Sequence, residues 1–239
     1  MYIMYKLAMG EYDSISLMNQ PLFHLVILGA TGLVGQQVLD LALSDHRIGR
    51  ITAPTRRPVA ERPKLSNPRV DYRNLAGTDW WHADAVICAL GTTLKAAGGK
   101  AGLREVDFRF VLDAAWLAKR AGVARFVLNS SLGADPDSAN FYLKTKGETE
   151  QALAAMGFSA LTLVRPSLLD GGPRPERRPG EQAGLWLGKR LGSLIPARYR
   201  PVSTRTVAKA MLESALNSQA GMRILENDQM LSDYSIGNA

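Results

Sequence analysis

One cysteine, three histidines and no apolar run of the ~18–20 residues that a membrane-spanning helix needs limit what this 239-residue chain can be. The single thiol, Cys88, excludes an internal disulfide and fits a reducing compartment, for which the cytoplasm is the expectation. It lies within an apolar run and reads as core rather than as a redox centre. His24, His46 and His82 stand apart, with no cysteine or carboxylate at ligand spacing. They are read as structural or surface residues, and no metal site is expected. The first twenty residues mix Lys6, Glu11, Asp13 and Asn19 among apolar ones, without the basic–apolar–small order of a secretory signal. No internal repeat or low-complexity tract is evident.

What is present describes an ordinary globular protein: 46% of residues are hydrophobic and 21% charged, enough for one sizeable core. The net charge of +7 is uneven, since residues 171–205 carry eight basic side chains against Glu176 and Glu181. No recognition helix, RNA-recognition or zinc-finger signature accompanies this excess, so a solvated loop-rich face is expected and no nucleic-acid partner. Residues 184–191 interleave apolar positions such as Trp186 with Lys189 and Arg190. They are a candidate for weak contact with a membrane surface or a protein; a helix covering a cleft is the plainer reading.

Residues 22–28 form a continuous apolar run suited to a strand buried on both faces. The turn Gly29-Ala30-Thr31-Gly32-Leu33-Val34-Gly35 breaks it, and residues 36–44 resume with helical apolar spacing. Further strands are expected at 50–55, weakly at 70–72, and at 85–90, 125–129, 160–165 and 223–226, with helices at 106–121 and 142–156. Pro54 lacks a ladder donor, so the second strand must end early or tolerate a gap. This alternation argues an α/β fold, a Rossmann-type doubly wound parallel sheet with a small C-terminal substrate-side segment at about 167–205. One such domain is expected over 21–239. Residues 1–20 fit nothing in the plan, and Met18 is a candidate alternative start.

Three constellations carry chemistry. Glycines spaced G-x-x-G-x-x-G between a strand and a helix let the backbone turn tightly, approach a pyrophosphate and pack helix on strand. The helix N-terminus then offers free N–H groups to phosphates. At the end of the second strand, where an acidic residue would bond a ribose 2′-hydroxyl, stand Arg56 and Arg57, whose guanidiniums suit a 2′-phosphate. That combination points to NADP(H). Tyr142 and Lys146, four apart, share a helical face. A neighbouring ammonium favours the phenolate, so Tyr142 is the candidate acid–base group, and Lys146 also suits a ribose. Ser130 and Ser131 close a strand twelve and eleven residues earlier and offer a hydroxyl to a substrate carbonyl. Asp107 is read as a first-turn carboxylate complementing a helix dipole.

Together these motifs resemble the atypical branch of the short-chain dehydrogenase/reductase superfamily. Residues 89–93, Lys100-Ala101-Gly102, Val106-Asp107, Ser130 to Asp135, Asn140-Phe141, Lys146-Gly147-Glu148 and Arg178-Pro179-Gly180-Glu181 narrow the likeness to its TIP30/CC3 (HIV Tat-interacting protein 2) oxidoreductase-like group. The resemblance implies a Rossmann fold, NADP(H) as cofactor, and Tyr142, Lys146 and a serine as the catalytic set, Ser131 ahead of Ser130. It also implies that Leu90, Gly91, Thr92, Leu169 and Arg178 line the cofactor. An oxidoreductase acting on a carbonyl or alcohol follows, as a monomer or weak oligomer. A cofactor-sensing binding protein and an epimerase or dehydratase are the competing readings.

Overall fold

The computed structural model describes residues 22–75, 79–170 and 195–235. The first apolar run becomes β1 (Phe23–Leu28), five of whose six residues are buried. It pairs in parallel with β2 (Ile48–Thr52) on one side and β4 (Ala85–Cys88) on the other. With β3 (Leu65–Ser66), β5 (Arg125–Asn129), β6 (Ala160–Arg165) and β9 (Gly221–Glu226) these make a seven-stranded sheet in the order β3-β2-β1-β4-β5-β6-β9. Every pairing is parallel. The chain therefore reverses its direction of winding between β1 and β4, the place where open α/β sheets form a crevice.

Each strand side feeds a different core. Leu25 and Ile27 of β1 pack with Val34 and Val38 of α1 (Leu33–Ser44) and Val207 and Met211 of α5 (Thr204–Leu216). Val26 and Leu28 face Val111 of α3 (Phe110–Arg120) and Leu153 of α4 (Phe141–Ala155). The doubly wound fold is thus as expected: a strand covered on both sides needs apolar residues at every position, not alternate ones.

Several boundaries differ from the sequence reading. The second strand stops at Thr52, two residues ahead of Pro54, as the missing donor requires. The third sits at Leu65–Ser66; residues 70–72 contribute only isolated bridges, because the Asp71 carboxylate accepts from the Arg73 N–H and the Asn74 N–H closes onto the Asp71 carbonyl, curling the chain into a turn. The helix expected from 106 begins at Lys100, where Gly98 and Gly99, both with positive φ, end the preceding loop. Between α2 (Lys100–Arg104) and α3 lies one π-helical turn, Glu105–Arg109. Its extra residue re-aims the side chains that follow, as such turns often do near functional sites.

In the segment after β6, β7 (Leu169–Asp170) pairs in parallel with β8 (Val202–Ser203). Asn227, fully buried at the start of α6 (Asn227–Tyr234), ties this segment to the sheet: its Oδ1 accepts from the Ser167 N–H and its Nδ2 donates to the carbonyls of Ala197 and Arg200. Residues 171–194, with Arg178 and the 184–191 stretch, lie outside the described residues, as do Met18 and the N-terminal segment.

His24 links β1 to its neighbours. Its Nδ1 lies 2.9 Å from the His82 carbonyl and its Nε2 2.9 Å from Thr52 Oγ1, while its N–H donates to the Asp84 carboxylate. Burial holds its pKa below the ordinary 6.5, outweighing the opposing effect of the His82 carbonyl. A histidine that resists protonation when folded is protonated more readily once unfolded, so its neutral form supports stability above the unfolded pKa and that support is lost as pH falls below it. The melting temperature should therefore fall between pH 7 and 5, and His24→Gln should flatten that part of the profile in pH-dependent thermal melts. An unchanged slope would show that other groups govern acid sensitivity.

Candidate functional site

Because the strands are parallel, the ends of β1, β4, β5 and β6 open along one edge, into a cleft of about 990 Å³. The glycine turn forms its floor. Gly29 has φ +79°, and a Cβ there would come within 2.6 Å of the Ala89 carbonyl oxygen. The Gly32 N–H donates back to the Gly29 carbonyl at 2.9 Å, closing the turn. A Cβ on Gly35 would overlap that same carbonyl, so α1 can pack this closely only with glycine. Ala30 is buried and Thr31 exposed beside them. Gly32, Leu33 and Val34 line the cleft. No side chain caps α1 and no acidic residue occupies its first turn, so its terminal N–H groups face the cleft without an internal acceptor among the described side chains.

Beyond β2 the chain makes a braced turn. Thr55 Oγ1 donates to the Arg57 carbonyl at 2.6 Å, and Asn67 Nδ2 donates to Thr55 Oγ1 at 2.9 Å. Arg56 and Arg57 project from it, exposed. Tyr72, 6% exposed, donates to the Pro54 carbonyl at 2.9 Å, with the Gly29 backbone against the same hydroxyl. Burial raises its pKa well above the usual phenol value, against the Gly29 backbone, so it remains a neutral strut between the end of β2 and the glycine turn. The sequence offered Tyr72 only as a strand residue.

On the opposite wall, Asn140 caps α4 by accepting from the N–H groups of Tyr142 and Leu143. Tyr142, Lys146 and Glu150 follow at four-residue intervals on one face. Tyr142 and Lys146 both line the cleft, as do Leu90, Gly91, Thr92, Ser130, Ser131 and Leu169. Glu150 clamps the helix to β6 through a two-pronged contact with Arg165, which also approaches Glu226. Ser131 Oγ donates weakly to the Leu132 carbonyl at 3.3 Å. Ser130 Oγ and Asn129 Oδ1 are buried with no hydrogen-bond partner among the described residues.

Lys146 is 3% exposed, and its Nζ lies 2.9 Å from Asp107 Oδ1 and 3.3 Å from the Asn129 carbonyl, to which it donates. Burial would lower the ammonium pKa, but the Asp107 and Tyr142 charges outweigh it and the net shift is upward. Asp107 is fully buried, and its Oδ2 accepts from the Thr92 N–H at 2.9 Å. The expected role for Asp107, a first-turn carboxylate complementing a helix dipole, is therefore corrected. A signal existed: Asp107 shares the spacing of Val111, Ala114 and Ala118, all of them core. Burial pushes the Cys88 thiol up to about 12, which leaves it a packing residue.

Residues 29–218 match the model of an NAD(P)H-binding family. The chain is 34% identical over 230 residues to the protein HTATIP2 of Rattus norvegicus, covering 92% of this chain and 91% of that one. It is 38% identical over 154 residues to the mitochondrial protein FMP52 of Meyerozyma guilliermondii, covering 61% of this chain and 65% of that relative's length. With FMP52 of Candida albicans it shares 31% over 201 residues, 79% and 86% of the two chains. Among solved structures it is similar to MoeE5 in complex with UDP-glucuronic acid and NAD (TM-score 0.66, 16% identity, 87% and 80% covered) and to the Bordetella bronchiseptica enzyme WbmH in complex with NAD+ (0.64, 18%, 86% and 75%). At such identities these structures speak for the fold. The cytoplasmic expectation is corrected by the FMP52 relatives, which are named as mitochondrial; a lone buried thiol reads the same in any reducing compartment.

The second and third glycines of the turn make opposite demands. A Cβ on Gly32 would meet only the Gly29 carbonyl, at 3.3 Å, whereas one on Gly35 has no room. Gly32→Val should leave a folded protein that no longer binds a dinucleotide, and Gly35→Ala should lower the melting temperature itself. Thermal melts paired with NADPH fluorescence titration read both; a Gly32→Val protein that binds NADPH normally would remove the glycine turn from the binding site.

Proposed function

Since the chain belongs to the NAD(P)H-binding family, we propose that it is an NADP(H)-dependent oxidoreductase acting on a carbonyl or alcohol. The observation that carries this reading is that Tyr142, Lys146 and the two strand-end serines line the same cleft as the uncapped N-terminus of α1. The residues fit a dinucleotide: glycine backbone leaves the floor open at Gly32, and Ser130 Oγ and Asn129 Oδ1 are buried polar atoms without a partner among the described residues. When bound, NADP(H) supplies or accepts the hydride.

The rest of the chemistry belongs to the chain. The N–H groups of residues 33 and 34 receive the pyrophosphate, and Arg56 with Arg57 receives the 2′-phosphate. Leu90, Gly91, Thr92 and Leu169 flank the nicotinamide half. Of the three N–H donors of Lys146, one points to Asp107 and one to Asn129, which leaves one for a ribose hydroxyl. Ser131, or Ser130 beside it, orients the carbonyl oxygen, and the Tyr142 hydroxyl gives or takes its proton. An epimerase or dehydratase would use the same Tyr142 and Lys146 but return the hydride within one turnover, so net consumption of NADPH separates the two.

Two outcomes test this. NADPH should bind at least about tenfold tighter than NADH, equivalent to roughly 1.4 kcal/mol, and Arg56→Ala should weaken NADPH while barely changing NADH; equal affinities by calorimetry would end the 2′-phosphate assignment. Tyr142→Phe should abolish NADPH consumption across a panel of aldehydes, ketones and quinones while keeping NADPH affinity within a few-fold. Activity that persists in that variant would assign the proton to another group.

A further inference from the structure

The polar cluster beside Gly91 is almost wholly buried, yet both Asp107 and Lys146 line the cleft. A Cβ on Gly91 would stand 3.4 Å from Asp107 Oδ1 and 3.8 Å from Lys146 Nζ. Asp107 reaches three elements from this position. One carboxylate oxygen meets the Lys146 ammonium on α4, and the other accepts the Thr92 N–H in the loop after β4. Its main-chain carbonyl accepts from Thr149 Oγ1 at 2.9 Å, one turn beyond Lys146. The π-helical turn Glu105–Arg109 directs the side chain inward.

We propose that Asp107 is the positioning residue of this site: its carboxylate, held between the Lys146 ammonium and the Thr92 N–H, fixes where Lys146 stands, keeps it charged, and locks the 91–92 wall of the cleft to the helix bearing Tyr142. What Lys146 does for a bound dinucleotide rests on the function proposed above; the ion pair does not.

The groups facing Lys146 decide the matter. Asp107 comes from the π-helical turn, Tyr142 from its own helix, Cys88 from the end of β4 and the Asn129 carbonyl from β5. Cys88 remains a neutral thiol through the physiological range. Asp107 is the carboxylate of this set, in direct contact with the Lys146 ammonium at 2.9 Å. A buried charge that loses its partner is left uncompensated, and the lysine can relieve this by giving up its proton. A surface carboxylate could not substitute, because solvent would screen it.

Asp107→Asn keeps the shape and removes the charge. In lysine side-chain NMR, with the Lys146 signal assigned by its loss in Lys146→Met, the wild-type ammonium should remain protonated up to pH 10, and in Asp107→Asn it should titrate below pH 9. NADPH affinity should then fall by about tenfold per pH unit above that midpoint in the variant, with no such step in the wild type. If Asp107→Asn unfolds, the double variant Asp107→Asn/Lys146→Met, which lacks both charges, should recover a melting temperature above that of Asp107→Asn alone. A folded Asp107→Asn protein whose Lys146 stays protonated at pH 10, or a double variant no more stable than the single, would overturn the proposal. A wild type that binds no NADPH at any pH would instead refute the cofactor reading, while the NMR titration and the melts still decide the role of Asp107.

Discussion

The parallel register of four central strands is the constraint on which the site depends. Leu28 stands opposite Cys88, Cys88 opposite Leu128, and Leu128 opposite Leu163, so the chain leaves β1, β4, β5 and β6 at one level. Whatever follows those positions meets at one edge: the glycine turn after β1, Ala89 to Thr92 after β4, Ser130 and Ser131 after β5, Pro166 and Ser167 after β6. An antiparallel partner anywhere in that set would send one of these segments to the far edge. The apolar continuity of the strands is thus what assembles a polar site, because covering both sheet faces is what makes parallel pairing stable.

Polar side chains then fix the loops that this edge collects, and they do so from below. Tyr72 spans the end of β2 and the glycine turn, Asn227 holds the segment around Ala197 and Arg200 to the β6 end, and Asp107 joins the 91–92 loop to α4. Each of these residues is less than a tenth exposed. Each satisfies backbone groups that an irregular segment would otherwise leave unpaired. The Asp107–Lys146 pair differs from the other two in kind. Desolvating two charges offsets most of their attraction, so such a pair adds little net stability, while loss of either member costs about 3–5 kcal/mol. An aliphatic pair could fill the same space. A charge at that disadvantage points to a use at the cleft, which both residues line.

The fold was readable because its signals are local. An unbroken apolar strand, three glycines at fixed spacing and a helix form a sequence of steps within some twenty residues, and Gly35 is glycine for a contact with Gly29 made inside that span. Pro54 ended β2 for a reason visible in the residue itself. The site was readable to the extent that it reuses one helical face, as Tyr142 and Lys146 do. What escaped were partners distant in the chain: Asp107 is 39 residues from Lys146, and Tyr72 reaches Pro54 and Gly29 across a turn that its strand-like neighbours conceal. Asp107 escaped because a carboxylate near a helix start has a ready local explanation in the helix dipole, even though it shares the spacing of Val111, Ala114 and Ala118. The same bias toward local causes placed a strand at 70–72, where Asp71 bends the chain instead.

The two ends of the cleft differ in charge, and the buried pair is the reason. At the α1 end, helix N–H groups stand uncapped with no acidic residue in the first turn, and Arg56 and Arg57 are exposed on the turn after β2. At the Tyr142 end the Lys146 cation is matched by a carboxylate 2.9 Å away, and Tyr142, Ser130 and Ser131 line the cleft beside it. Under the proposed function that division has a physical sense. Phosphates bind where charge is in excess. The reacting carbon and its oxygen sit beside Tyr142, where the cation of Lys146 is matched by Asp107. Asp107 would then matter less as a strut than as the group that keeps Lys146 charged enough to orient and too well matched to dominate.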